Sequence, residues 1–240
     1  TEFERVSEQI RRLSPDTALM LDTKGHKVRL SDFGNDMYVE DGQMISVATR
    51  TTDQSLYLVV EKEVQLERQI VPGTIVLIDD GIIKLRVERV ENFHLICRVL
   101  QGGTIKRRKT VSFLGKSVDL GGFSQKDIDD IQTAKELGFD FVAASYVRSA
   151  KDVHVVRDLL KDSGIGIVAK IEDESGVNHF DEILESADGI MIARGDLAIG
   201  VPMEKVPVYQ KIFIEKCNKI GKPVIVATQM LESMTKNLLP

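Results

Sequence analysis

The chain has 240 residues, of which 42% are hydrophobic, so it can bury a sizeable core and has room for two domains. Its net charge of −5 gives no electrostatic footprint for nucleic acid or an anionic membrane surface, and no apolar run reaches the ~18 residues of a membrane span. Cys97 and Cys217 fit no metal-ligand spacing and read as small buried apolar residues of a cytoplasmic protein in a reducing compartment.

Phe3, Val6, Ile10 and Leu13 recur at helical spacing and predict an amphipathic helix from Phe3 to Leu13. Thr17 to Asp22 (TALMLD) then reads as a buried strand ending in the polar turn Asp22-Thr23-Lys24-Gly25. From about Ser31 to Val111 helical periodicity gives way to the short runs ISVAT, SLYLVV, TIVLID, IIKLRVERV and FHLICRVL. Asp80-Gly81, between two of these runs, is a hairpin signal, because glycine tolerates the positive φ of a tight turn. This block predicts an all-β module inserted into a different kind of chain. After Val118 strands and helices alternate. Ser124 with Asp127 three residues on marks a helix N-terminus. FVAASYV (Phe141 to Val147) is a strand and Ser149 to Leu160 a helix; further helices are expected over Val177 to Leu184, over Val208 to Ile220 and from Leu231 onward. Gly221-Lys222-Pro223 supplies a glycine stop before the last strand.

Three apolar runs end abruptly in reactive residues: IGIVAKIE in Lys170 and Glu172, DGIMIARGD in Arg194 and Asp196, and PVIVATQ in Thr228 and Gln229. The steps of 26 and 32 residues between Lys170, Asp196 and Thr228 are one strand-plus-helix unit each. Such runs indicate parallel strands buried on both faces, and in a barrel of these units the active site lies at the strands' C-terminal ends. A complete eight-stranded barrel needs ~250 residues without insertions, whereas only five barrel-type strands can be counted. The expected fold class is therefore α/β, a partial TIM (β/α)8 barrel with an inserted all-β small-barrel domain. Residues 1–30 form the first part of the barrel, 31–111 the lid and 112–240 the second part. The expectation is an interior segment of a longer enzyme, without the first strands, the last strand and a C-terminal domain.

AKIE, ARGDL and ATQMLESM, in this order and spacing, resemble the pyruvate kinase family, and LDTKG before the β module and AASYVR after it match as well. The resemblance covers nearly the whole chain. It implies transfer of the phosphoryl group of phosphoenolpyruvate to ADP, giving pyruvate and ATP, by an allosteric cytoplasmic enzyme assembled as a homotetramer. Glu172 and Asp196 correspond to the Mg²⁺ ligands, with Mn²⁺ as a substitute; two carboxylates plus substrate and water oxygens suit Mg²⁺. The alternative is a pair of solvated loop acids. Lys170 matches the catalytic lysine, whose point charge can neutralise the transferring phosphoryl group and the enolate left behind; otherwise it forms a structural ion pair with Glu172 or Asp196. Thr228 matches a threonine beside the carbon that is protonated, or caps the helix after it. Backbone N–H groups of Gly195 and Asp196 would hold the substrate carboxylate at a helix start. Ala198-Ile199-Gly200 departs here from the family's Gly-Val-Glu.

By the same resemblance Asp22 and Thr23 belong to a monovalent-cation site, and Arg29 and Lys109 are cofactor-side contacts to nucleotide phosphate. Lys109 closes the basic run Lys106-Arg107-Arg108-Lys109, which otherwise reads as a solvated face, and opens Lys109-Thr110-Val111-Ser112-Phe113-Leu114-Gly115 where the family carries KGVNLPG. Lys27 stands in KGHKVR where potassium-dependent members carry a glutamate in KGPEIR. Its ammonium could supply the bound cation's charge, so K⁺ would not be required; the plain alternative is an exposed lysine. His154 and His179 read as surface residues. Two rival functions remain: a Mg²⁺-dependent carbon–carbon lyase acting on pyruvate or phosphoenolpyruvate, and a truncated binding module without catalysis.

Overall fold

The computed structural model describes residues 2–50, 56–59, 65–116, 118–235 and 237. The chain divides into two compact units, Thr1–Gly25 with Phe123–Leu197 and Val206–Pro240, and His26–Gly122 with Ala198–Lys205. No helix among the described residues is long and apolar enough to cross a membrane.

The first unit begins with helix α1 (Glu2–Leu13) and strand β1 (Met20–Asp22). The apolar face expected of α1 is not packed away among the described residues: Leu13 is 78% exposed, Phe3 and Val6 are exposed, and Ser7 is the buried residue. The helix is instead tied down by a polar contact, Arg11 donating to Gly138 O at 2.7 Å and to Asp140 Oδ2 at 3.0 Å.

The second unit is antiparallel. Its strands are β2 (Val28–Leu30), β3 (Met37–Val39), β4 (Met44–Ala48), β5 (Leu58–Val59), β6 (Ile75–Ile78), β7 (Ile83–Glu91), β8 (His94–Gln101), β9 (Gly103–Ile105) and β10 (Thr110–Phe113), with a single turn of helix, α2 (Leu66–Gln69). Seven strands form one sheet in the order β4-β8-β7-β6-β10-β2-β5, and β3 pairs with β9. The SLYLVV run contributes only β5, and its Ser55 and Val60 lie outside the described residues. Inward positions of β7, Ile83, Leu85 and Val87, alternate with exposed Lys84 and Arg86, the period of a strand with one wet face. They join Leu30, Val47, Ile78, Leu95 and Cys97 in one buried cluster. Asp79, Asp80 and Gly81 all adopt positive φ in the turn between β6 and β7, so the expected hairpin forms where Asp80-Gly81 placed it.

Returning to the first unit, α3 (Gln125–Glu136), β11 (Phe141–Ala144), α4 (Ala150–Leu159), β12 (Gly166–Ile171), α5 (Glu174–Asn178), α6 (Phe180–Ser186), β13 (Gly189–Ala193), α7 (Arg194–Gly200), α8 (Val206–Lys219) and β14 (Val224–Ala227) alternate. The strands form one parallel sheet in the order β1-β11-β12-β13-β14, which is the α/β partial-barrel class expected. β1 pairs directly with β11, although the stretch His26–Gly122 of the antiparallel unit separates them in sequence. Helix α3 packs by β1, α4 and α6 by β12, and α8 by β13 and β14. Phe180 of α6 stacks on Phe213 of α8 with ring centroids 3.9 Å apart.

Helix starts follow their capping residues. Ser124 Oγ accepts the Asp127 N–H at 3.0 Å, while Asp127 Oδ2 accepts the Ser124 N–H at 3.1 Å. The helix expected over Val177 to Leu184 is instead two, meeting at His179, and the first starts earlier because Asp173 caps it by accepting the Gly176 N–H at 3.0 Å. From Leu231 a short 3-10 turn, Glu232–Thr235, takes the place of a longer helix, and residues 236 and 238–240 lie outside the described residues. Cys97 and Cys217 are free and buried; burial, reinforced by Glu88, pushes the Cys97 thiol up to about 12, which makes it a poor nucleophile.

Candidate active site

Side chains two apart on a strand share a face. Lys170, next to last in β12, and Glu172, just past its end, therefore project together beyond the sheet. Lys170 Nζ donates to Asp22 Oδ1 at 2.9 Å and to Ser145 Oγ at 2.8 Å, and lies 3.4 Å from Glu172 Oε1. Asp22 ends β1, Ser145 follows β11 and Glu172 follows β12, so three adjacent strand ends converge on one ammonium. Burial alone lowers the lysine's pKa, but Glu172 and then Asp22 outweigh it, and Lys170 is held above the ordinary lysine value as a firm cation.

The β11 end is built tightly. The strand stops at Ala144, short of the expected Val147, because Tyr146 turns to φ +53°. Ser145 donates its N–H to Thr23 Oγ1 at 2.9 Å and its hydroxyl to Thr23 O at 2.6 Å. Tyr146 donates its N–H to Glu172 Oε2 at 2.6 Å and its phenol to Asp196 Oδ1 at 3.1 Å. Burial first, then the charges of Asp196 and Glu172, raise the phenol's pKa, so it stays protonated and donates. Arg148 Nε reaches Asp173 Oδ2 at 2.7 Å and joins this loop to the residue after Glu172.

Asp196 lies in the first turn of α7, directly after β13. Thr228 follows β14 at φ +63°, and Gln229 adopts φ +53°. Left-handed conformations of residues with side chains are costly and gather at functional sites. Thr228 Oγ1 accepts the Gly195 N–H at 3.0 Å, so its hydroxyl caps the neighbouring helix rather than one of its own. That N–H is one of the two expected to meet a substrate carboxylate.

The structure thus brings Asp22, Thr23, Lys170, Glu172, Gly195, Asp196 and Thr228 to the C-terminal ends of one parallel sheet. The ion pair weighed for Lys170 is present with Glu172, and a closer one exists with Asp22. Ser145, Tyr146, Arg148 and Asp173 had been assigned no role from sequence. The signal for the first three is the abrupt change from apolar to polar residues at the end of FVAA, and for Asp173 the same change after GIVAKI.

Among the described residues no group of three or more His, Cys, Asp or Glu side chains is placed to hold a metal. Two hard carboxylates, one of them the buried Glu172, still fit a divalent ion that completes its shell with substrate and water oxygens.

In the antiparallel unit the pairing of β2 with β10 sets Arg29 opposite Thr110, and Lys109 O accepts the Leu30 N–H at 2.8 Å. Arg29 Nη1 donates to Arg108 O at 3.3 Å, and Lys109 Nζ pairs with Asp79 Oδ1 at 2.9 Å. Arg107 and Arg108 both pair with Asp32 while remaining exposed, so the run is a solvated face with acidic partners. Lys27 is half-buried in this unit, while His154 and His179 are exposed as expected.

The model of the pyruvate kinase barrel domain matches residues 1–240. The chain belongs to the pyruvate kinase family. It is 40% identical over 241 residues to a pyruvate kinase of Geobacillus stearothermophilus, covering 98% of this chain and 41% of that protein. It is 43% identical over 233 residues to one of Agaricus bisporus, with 93% and 43% covered. To one of Leishmania mexicana it is 42% identical over 250 residues, with 100% and 50% covered. The chain therefore spans half or less of the length of these pyruvate kinases. Family membership places the strand-end cluster in the barrel domain of a phosphotransferase family that works with a divalent metal.

Proposed function

We propose that the protein carrying this chain transfers the phosphoryl group of phosphoenolpyruvate to ADP, yielding pyruvate and ATP, and that the cluster around Lys170 is its catalytic centre. One observation carries this reading: a protonated lysine held between Asp22 and Glu172 at the strand ends, beside a second carboxylate, Asp196, linked to Glu172 through Tyr146. Phosphoryl transfer needs positive charge fixed in advance where negative charge moves. Lys170 supplies it to the transferring phosphoryl group and to the enolate oxygen left behind. Glu172 and Asp196 would hold Mg²⁺, or Mn²⁺ in its place, whose charge offsets that of the same oxygens. Ketonisation requires a proton at the terminal carbon of the enolate, and the Thr228 hydroxyl orients its delivery. Gly195 and Asp196 offer backbone N–H groups to the substrate carboxylate once Thr228 releases the first of them.

Arg29 and Lys109 belong to the same reading as contacts to nucleotide phosphate, with Asp79 as the resting partner of Lys109. A barrel with an inserted lid belongs to it too, the lid taking the antiparallel stretch His26–Gly122 rather than only residues 31–111, as do a cytoplasmic location, homotetrameric assembly and independence from K⁺. Nothing in the site favours the carbon–carbon lyase.

The test is pyruvate formation from phosphoenolpyruvate and ADP at limiting Mg²⁺. Glu172→Gln and Asp196→Asn each keep side-chain size and remove one anionic ligand, and should lower turnover by ~10²-fold or more. Near-normal rates in both variants would remove the carboxylates from the centre.

A further inference from the structure

Tyr146 sits in a left-handed conformation, with φ +53°, between the two carboxylates and touches both. Its N–H binds Glu172 Oε2 at 2.6 Å, and its hydroxyl binds Asp196 Oδ1 at 3.1 Å. These acids lie at the ends of different strands, β12 and β13, and a single residue at the end of a third, β11, fixes one oxygen of each. The backbone is crowded on the other side. A Cβ built at Gly25 would lie 2.6 Å from Tyr146 Cδ2, so the ring has no room to swing toward Gly25. Ser145, the preceding residue, is fastened to Thr23 by two hydrogen bonds. The phenol is therefore a rigid donor rather than a mobile surface tyrosine.

We propose that Tyr146 is a positioning residue for the divalent metal, its hydroxyl setting the plane of the Asp196 carboxylate while its N–H sets that of Glu172. This rests on the reading of Glu172 and Asp196 as metal ligands. A carboxylate that must choose its orientation on binding loses rotational freedom at that moment; one already held by a neighbouring donor does not.

The test is Tyr146→Phe, which removes the hydroxyl and keeps the ring and the backbone N–H. Mn²⁺ serves as the probe, with the free ion followed by electron paramagnetic resonance in the absence of substrate. The titration is run in the parent protein, Tyr146→Phe, Glu172→Gln and Asp196→Asn, at a temperature where circular dichroism shows each to be folded. Tyr146→Phe is expected to weaken Mn²⁺ binding about tenfold, to raise the Mg²⁺ concentration for half-maximal rate by a similar factor, and to leave kcat at saturating metal within a few-fold. If Glu172→Gln and Asp196→Asn weaken Mn²⁺ binding and Tyr146→Phe leaves it within twofold of the parent, the positioning role is overturned while the metal site stands. If neither carboxylate variant changes Mn²⁺ binding, the metal site itself falls and the proposal with it.

Discussion

Lys170 Nζ lies 2.9 Å from Asp22 Oδ1, although the two are 148 positions apart in sequence with the stretch His26–Gly122 of the antiparallel unit between them. The contact joins the end of β1 to the end of β12 with β11 between them, so it couples the order of the sheet to the charge state of the site. A lysine this buried is costly to keep charged without partners. Here Glu172 and Asp22 keep its pKa above the ordinary value of 10.5. The ammonium's contribution to stability is then complete below that value and is lost as pH rises through the higher folded one. Lys170→Met removes the charge, keeps the aliphatic stem and leaves Glu172 buried without its cation. It should abolish phosphoryl transfer and destabilise the metal-free protein by about 3 kcal/mol, the scale for breaking a buried pair. It should also flatten the alkaline limb of the stability curve, and saturating Mg²⁺ should recover part of the lost stability. Thermal midpoints between neutral pH and pH ~11 check this; an unchanged alkaline limb would mean that the pair contributes nothing to folding.

Asp127 is a second buried acid, and its role is structural. Its carboxylate accepts from Ser124 N at 3.1 Å, Ser124 Oγ at 2.7 Å and Gly25 N at 3.1 Å, so it starts α3 and also fastens the turn after β1. Asp127→Ala strands three donors, each costing about 1 kcal/mol or more when buried, and should destabilise by about 3 kcal/mol. Asp127→Asn keeps one acceptor oxygen and should lose roughly half as much. Urea midpoints measure both, and equal losses would show that the acceptor oxygen kept in Asp127→Asn contributes nothing.

Much of this architecture is legible in the sequence. GIVAKI and GIMIA are strands at the expected residues, because short runs buried on both faces have no other stable place, and VIVA is a half-buried strand at the edge of the same sheet. The positions of Lys170, Glu172, Asp196 and Thr228 at strand ends follow from the same pattern. What periodicity could not show was contact between distant segments. The pairing of Lys170 with Asp22, the bonding of Ser145 to Thr23 and the reach of Tyr146 to Asp196 depend on β1 lying next to β11, which no local signal encodes. The end of FVAASYV was misplaced for a related reason. Val, Ser and Tyr all suit a strand, and the left-handed turn at Tyr146 is imposed by its tertiary bond to Glu172. The apolar face of α1 was real in the sequence, but Arg11 docks that helix through polar groups.

Lys27 carries the prediction on potassium. Two unit charges ~4 Å apart at an effective dielectric of ~20 interact by ~4 kcal/mol, so a fixed ammonium could match the electrostatic effect of a bound ion. Unlike the ion, it needs no occupancy from solution. The enzyme should run at full rate without K⁺, and Lys27→Glu should make the rate depend on KCl. Initial rates against KCl, at ionic strength held constant with a tetraalkylammonium salt, decide the matter. Strong K⁺ activation of the unmutated protein would reduce Lys27 to an ordinary lysine.

Gly25 connects backbone conformation to the site. Its φ of +67° lies in the left-handed region, and an added Cβ would meet Tyr146 Cδ2 at 2.6 Å and Ser145 Cβ at 2.9 Å. Gly25→Ala therefore incurs two costs. The first is the left-handed backbone penalty of roughly 1–2 kcal/mol; the second is displacement of a ring that sits between Glu172 and Asp196. Gly34 separates them: its φ is +84°, and nothing lies within 4 Å of its added Cβ, so Gly34→Ala carries the backbone penalty alone. Gly25→Ala should destabilise by about 2–4 kcal/mol and raise the Mg²⁺ concentration for half-maximal rate, whereas Gly34→Ala should lose about 1 kcal/mol and leave the metal dependence unchanged. Denaturation midpoints and Mg²⁺ titrations of the rate, run on both variants, give the comparison. Matching losses of stability, with no shift in metal dependence for either, would show that the Tyr146 ring can move away from Gly25 without disturbing the carboxylates.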